Sequence, residues 1–210
     1  AIHMNDLARL ENRVLACTLC PRLVDHREKV ARYKRRMYRD SEYWGKPLPA
    51  FGDPQARMLV LGLAPAAHGG NRTGRMFTGD RSGDWVMGTL HKFGFASSPI
   101  SNHRDDGLTL NDAYITAALR CAPPANKPLR EERANCLTYL LAELDLLTQV
   151  QVVVALGRLA FDTYLTTCTT RQVDLPSPKP KFGHLVTYTL GGGIHLIGSY
   201  HPSQQNTQTG

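Results

Sequence analysis

No apolar run in the chain approaches the roughly 18 residues that a membrane-crossing helix needs, so no membrane span is expected. No secretory signal stands at the N-terminus. Neither Gly-Lys-Ser/Thr nor G-x-G-x-x-G follows the first strand-like run, which removes the common phosphate loops. There is no G-x-S-x-G elbow, which argues against a serine hydrolase built on Ser199 or Ser203. Cysteine is scarce, and its count of five is odd. An odd number speaks against a disulfide framework and for a metal set plus one spare thiol. Internal repeats and long linkers are also missing, so residues 5–210 are expected to form one domain, with Ala1–Met4 set aside as a cloning scar.

What is present is an apolar share of 42%, enough for a substantial core, and a formal net charge of +7. Such a balance favours an anionic partner, nucleic acid first. Arginines and lysines crowd one helical stretch, expected from Leu23 toward Arg39, with Arg27, Lys29, Arg32, Lys34, Arg35, Arg36 and Arg39. It reads either as a solvated helix face or as a phosphate-contacting surface.

The pattern alternates. Helical spacing covers Asp6–Ala16, Arg130–Leu147 and Arg158–Leu165, and a short helix is expected from Trp85 to Phe93, capped by Ser82 or Asp84. Strands are expected over Met58–Leu63, Tyr114–Leu119 and Val150–Leu156. A hairpin is expected from Leu185–Leu190 and Ile194–Tyr200 across three glycines. This order predicts an α/β fold: a three-layer α/β/α sandwich around a mainly parallel sheet of about four strands.

Two features carry chemistry. The first is the stretch LVLGLAPAAHGGNRTGRMFTGDRSGD, residues 59–84, a strand that breaks into a long glycine-rich loop. Open α/β sheets place their sites at the carboxyl ends of strands, and a loop this long is uncommon unless functional. Phe77 among polar neighbours suggests a platform for a planar ligand. The second feature is Cys17-Thr-Leu-Cys20 followed far away by Cys121 and Cys136. Four thiolates hold zinc or an iron–sulfur cluster, and the unequal spacing leans toward a cluster. Buried, unliganded cysteine is the plain alternative. Cys168 has no partner at useful spacing and is expected to be structural.

The motif GLAPAAHGGNRTGRMFTGD, with HPSQQN near the end and the four spaced cysteines, resembles the family 5 (type B) uracil-DNA glycosylases from Cys17 to Asn206. The resemblance implies a DNA repair enzyme that flips uracil, and other deaminated or damaged bases, out of double-stranded DNA. It would hydrolyse the N-glycosidic bond and leave an abasic site. It also implies a 4Fe-4S cluster on Cys17, Cys20, Cys121 and Cys136. A monomer in a prokaryotic-type cytoplasm, associated with the nucleoid, is expected. A non-enzymatic iron–sulfur nucleic-acid-binding protein is the alternative, one that leaves Asp80 and His201 without work.

The wider superfamily carries Asp or Glu just after the motif glycine and Asn on the second strand. Here Leu63 and Ala64 follow Gly62, and Ala117 stands in the strand; both departures resemble family 5. Asp80 then becomes the candidate carboxylate, with Asn126 and His201 at the other polar positions. Phe77 would stack on the extruded base. Backbone of Gly62, Ala64, Ala66 and Ala67 would contact the base or a phosphate, beside Ala117 and Ser203. The turn from Pro202 to Asn206 would fill the gap the base leaves. The family continues into a further helix after this motif, which would lie beyond Gly210.

Overall fold

The computed structural model describes residues 2–203 and 206–207. Two helices open the chain, α1 (Ile2–Leu15) and α2 (Pro21–Tyr33). The sheet then begins with a two-residue strand, β1 (Phe51–Gly52), and continues with β2 (Met58–Gly62). A single helical turn, α3 (Gly70–Thr73), interrupts the long loop before α4 (Arg81–Lys92). Next come β3 (Ala113–Ala117), α5 (Arg130–Leu146), β4 (Val152–Leu156) and α6 (Arg158–Thr170). The hairpin β5 (Thr187–Thr189) and β6 (His195–Ser199) closes the sheet.

The strand order is β1-β3-β2-β4-β6-β5. The four inner strands are parallel, and each edge carries a short antiparallel strand. The α/β architecture is therefore as expected, with six strands rather than about four. β1 escaped the pattern because two residues carry no periodicity.

Alternation along the strands sorts the two faces. Leu59, Leu61, Val153, Ala155 and Leu196 point to one side, where Leu140 and Leu144 of α5 and Phe161, Tyr164 and Leu165 of α6 meet them. Val60, Ile115 and Ala117 point to the other side, against Val86, Met87 and Leu90 of α4. Both faces are apolar, as parallel sheets require. Among the described residues no helix is long and apolar enough to cross a membrane.

Three local expectations change. α2 ends at Tyr33, because Lys34 takes φ +51 and the chain bends into a 3₁₀ turn, Arg36–Tyr38. The fourth helix starts at Arg81, capped by Asp80 and not by Ser82 or Asp84; the Asp80 side chain accepts from the Gly83 N–H. The hairpin strands are shorter than expected, Thr187–Thr189 and His195–Ser199, and after β3 the chain makes a 3₁₀ turn, Pro124–Asn126.

Candidate active site and cysteine cradle

The parallel strands end level. Gly62 of β2 pairs with Ala117 of β3, and Leu156 of β4 pairs with Ser199 of β6. The Gly157 N–H then donates to Ser199 O at 2.8 Å, bringing the exits of β4 and β6 together. The loop 63–80 and the tail after Ser199 therefore leave the same sheet edge.

Phe77 returns to this edge. Its backbone is left-handed, φ +48, and its ring packs against Gly62 at the end of β2. A Cβ on Gly62 would come within 2.8 Å of the ring's Cζ, so only glycine leaves room for it. The His201 ring faces Phe77 with centroids 6.2 Å apart and planes inclined by 31°.

Asp80 completes the group. Its Oδ1 accepts from Gly83 N–H at 2.8 Å, while its other oxygen leans over Gly69 so closely that a methyl there would collide with it. Burial pushes the Asp80 carboxyl above its ordinary value, opposed by the Gly83 N–H and by the field of His201. Burial also pushes His201 below the ordinary imidazole value, opposed by Asp80. Each group thus senses the other's charge. The arrangement offers a carboxylate in a poorly solvated place, a largely neutral imidazole, and an aromatic ring beside that imidazole.

The loop that carries Asp80 is braced from within. Arg72 donates through Nε to His68 O and through Nη2 to Gly79 O, both at 2.8 Å. Thr73 Oγ1 donates to Thr78 O at 3.0 Å. Arg75 is buried; it donates to Thr78 Oγ1, Ser101 Oγ and Asp106 Oδ2. Although burial raises the Asp106 carboxyl, the Arg75 guanidinium and three backbone N–H groups outweigh it and hold it well below the usual carboxylate range. Arg72 and Arg75, polar residues along a loop in the sequence, are its struts. Their partners lie up to 31 residues away, and no local pattern reveals them.

Among the described residues the backbone N–H groups of Ala64, Ala66 and Ala67 form no hydrogen bond. They remain available at the strand exit. Ala117 closes the neighbouring strand, 1% exposed, and presents only a methyl group. Ser203 follows His201 in a tight turn: its N–H donates to His201 O at 2.7 Å, and its Oγ accepts from Asn206 N–H at 3.4 Å. The Asn206 amide also donates to His201 O at 2.8 Å. Gln204 and Gln205 of the expected gap-filling turn lie outside the described residues. Asn126 is exposed on its 3₁₀ turn with φ +55, and no hydrogen bond among the described residues links it to Asp80 or His201.

The cysteines gather on the adjoining side. Cys20 caps α2, and Cys136 lies on α5. Cys121 and Cys136 are buried beside Leu23, Ala118 and Leu119, with Cys20 against them, and Cys17 packs near Tyr139. The thiolate fields of Cys17 and Cys20 reach Cys121, and those of Cys20 and Cys121 reach Cys136. Burial pushes the Cys136 thiol up to about 12 and raises Cys20 and Cys121 as well. Among the described residues no group of three or more His, Cys, Asp or Glu side chains is arranged to hold a single metal ion. Cys168 sits apart, in the core around α6.

Two donors aim at these sulfurs. Arg27 is 5% exposed and donates to Cys121 Sγ at 3.0 Å, with its Nε left unpaired. The Asn135 amide donates to Cys20 Sγ at 3.4 Å. Buried donors facing sulfur suit anionic thiolates. Arg27 therefore leaves the basic surface inferred from the sequence, while Arg35, Arg36 and Arg39 stay exposed. Its carbonyl accepts from the fully buried Asn71 at 3.2 Å, tying the cradle to the Asp80 loop.

Comparison with known proteins gives the family. The family model described as the uracil DNA glycosylase superfamily matches residues 49–210. A protein of Thermus thermophilus named type-5 uracil-DNA glycosylase is 51% identical over 195 residues, covering 93% of this chain and 86% of that protein. A protein of the same name from Mycobacterium tuberculosis is 49% identical over 205 residues, covering 97% of this chain and 75% of its own length. The chain belongs to the type-5 uracil-DNA glycosylase family. Type-4 uracil-DNA glycosylases stand further off: one from Thermotoga maritima is 28% identical over 153 residues. The parallel pairing of β2, β4 and β6 brings the loop and the His201 tail together although more than a hundred residues separate them in the sequence.

Proposed function

We propose that this chain excises uracil from double-stranded DNA by hydrolysing the N-glycosidic bond, leaving an abasic site. The observation that carries the reading is the Asp80 carboxylate, held in a poorly solvated place at the sheet edge opposite Phe77 and His201. Breaking the bond leaves an oxocarbenium-like sugar and an anionic base. A fixed negative charge stabilises the first, and fixed donors stabilise the second. Asp80 supplies the charge and orients water, as carboxylates do in sugar hydrolysis. His201 donates to the departing base oxygen, Phe77 stacks on the base, and the unbonded amides of Ala64, Ala66 and Ala67 receive the base or a phosphate. The resemblance adds Asn126 as a third polar group, on the exposed turn after Cys121.

No lysine lies in residues 63–80 or 199–207, which supports a monofunctional enzyme without a Schiff-base step. The methyl of Ala117, where an amide would read uracil from both sides, supports a broader range that includes oxidised pyrimidines and deaminated purines. Sites that rely on stacking and shape discriminate weakly. Mispaired lesions are then the better substrates, because they cost less to flip.

The four cysteines, gathered between α2 and α5 with N–H donors of Arg27 and Asn135 on Cys121 and Cys20, are the residues that would hold a 4Fe-4S cluster, as the resemblance implies for Cys17, Cys20, Cys121 and Cys136. Bound there, such a cluster would link the segment between α1 and α2 to the loop after β3 and to α5, and would add folding free energy. Action as a single-domain monomer is part of the same reading. The basic turn supports a location on the nucleoid.

Release of free base from duplexes that differ only in the lesion tests the activity. Uracil release without strand cutting is expected. Binding without any base release would instead favour a non-enzymatic iron–sulfur DNA-binding protein.

A further inference from the structure

The exposed arginines do not stand on an independent helix. They follow the end of α2 in residues 34–43, and this segment touches the Asp80 loop at two points. In one, the Tyr38 ring lies against the Arg72 guanidinium, 4.0 Å from its central carbon to the ring centroid. In the other, the Arg35 backbone N–H donates to the Tyr43 hydroxyl at 3.4 Å, and that hydroxyl bonds to His68 Nδ1 at 2.9 Å. Both contacts end on loop residues.

Arg72 is also the strut that joins the two ends of the loop, His68 O and Gly79 O. Gly79 immediately precedes Asp80. Its φ is +83, and a Cβ there would come within 2.6 Å of Arg72 Nη2, so guanidinium and backbone are in direct contact. A planar fork with one face on an aromatic ring and two N–H groups on two carbonyls has a single orientation, which an ammonium cannot reproduce.

We propose that Arg72 is a positioning residue for Asp80, and that Tyr38 couples it to the basic turn. DNA phosphates held by Arg35, Arg36 and Arg39 thereby set the catalytic carboxylate in place. The inference rests on the glycosylase reading above. Arg72 acts through Gly79 and touches no reacting group. Its charge is used for geometry, so a change in Arg72 separates rate from affinity. A direct phosphate contact would move affinity first.

The test compares the full chain with Arg72→Lys, Tyr38→Leu and Tyr38→Phe, using a uracil-containing duplex. It reads the single-turnover rate at saturating protein, the Kd for the same duplex, and hydrogen exchange across residues 68–80. Misplacing a reacting group by a fraction of an ångström costs one to two decades, so Arg72→Lys is expected to slow the saturated rate about tenfold or more. Its Kd is expected to stay within about twofold, the charge being retained. Tyr38→Leu is expected to slow the rate by about threefold or more, and Tyr38→Phe, which keeps the ring, to restore it. DNA is expected to slow exchange in the loop of the unaltered chain and not in Tyr38→Leu.

An Arg72→Lys protein with weakened Kd and an unchanged saturated rate would overturn the proposal in favour of a phosphate contact. A Tyr38→Leu protein that matches the unaltered chain in rate and exchange would overturn the coupling. If Arg72→Lys fails to fold, the Tyr38 pair decides. Failure of the unaltered chain to release uracil would sink the activity reading instead, and the exchange comparison would still judge the coupling.

Discussion

The two halves of the site are held in different ways. Asp80 sits on a loop laced by Arg72, Thr73 and Arg75, capped onto a helix, and tied through Asn71 to the cysteine cradle. His201 hangs two residues beyond the end of β6, held by short local turns through Ser203 and Asn206 and by its contact with Phe77. The rigid half carries the charge. A preorganised carboxylate costs no reorganisation when the sugar cation forms, so rigidity matters most there. The His201 half is a strand exit, which in the proposed reaction suits a group that must admit and release a flipped nucleotide.

The sharpest way to break this contrast is to remove the charge. Asp80→Asn keeps the shape and the cap, and it is expected to lower the single-turnover rate on the order of 10³-fold with little change in DNA affinity. Gly69→Ala attacks the support instead of the charge. The added methyl collides with the carboxylate, and a displacement of that size is expected to cost on the order of 10²-fold in the same assay. His201→Ala removes a donor from the more loosely held half; a loss on the order of 10²-fold is expected, partly recovered by His201→Asn. The bracing itself is measured by stability. Arg75→Met leaves Ser101, Thr78 and Asp106 without their shared partner and is expected to cost about 3 kcal/mol in denaturant unfolding.

The same contrast explains what the sequence made legible. Val152–Leu156 and Met58–Gly62 declare themselves as buried parallel strands because every residue is apolar or small. The C-x-x-C step and the glycine-rich loop are local signals, and the gathering of Phe77, Asp80 and His201 follows once the parallel order is known. The bracing was not legible. Arg27 looks like one more cation in a basic run, yet it is buried because Cys121, far along the chain, accepts its N–H. Arg75 reaches Asp106 across an irregular stretch with no periodicity. Asp80, a candidate carboxylate in the sequence, proves to be the helix cap as well; one of its oxygens binds Gly83 and the other lies over Gly69. Long-range hydrogen bonds of this kind depend on the assembled fold and leave no spacing behind.

The most direct test of the account is the pH dependence of the single-turnover rate, measured for the unaltered chain and for Asp80→Asn. Burial raises the Asp80 carboxyl, and the proposed reaction needs it ionised. The rate should therefore fall as pH drops through a value above the ordinary aspartate pKa of about 3.9. His201, lowered by burial, is already neutral at pH 7, so the profile should be flat through neutrality. Asp80→Asn should abolish the acid limb along with most of the rate. An acid limb that survives unchanged in Asp80→Asn would contradict the account.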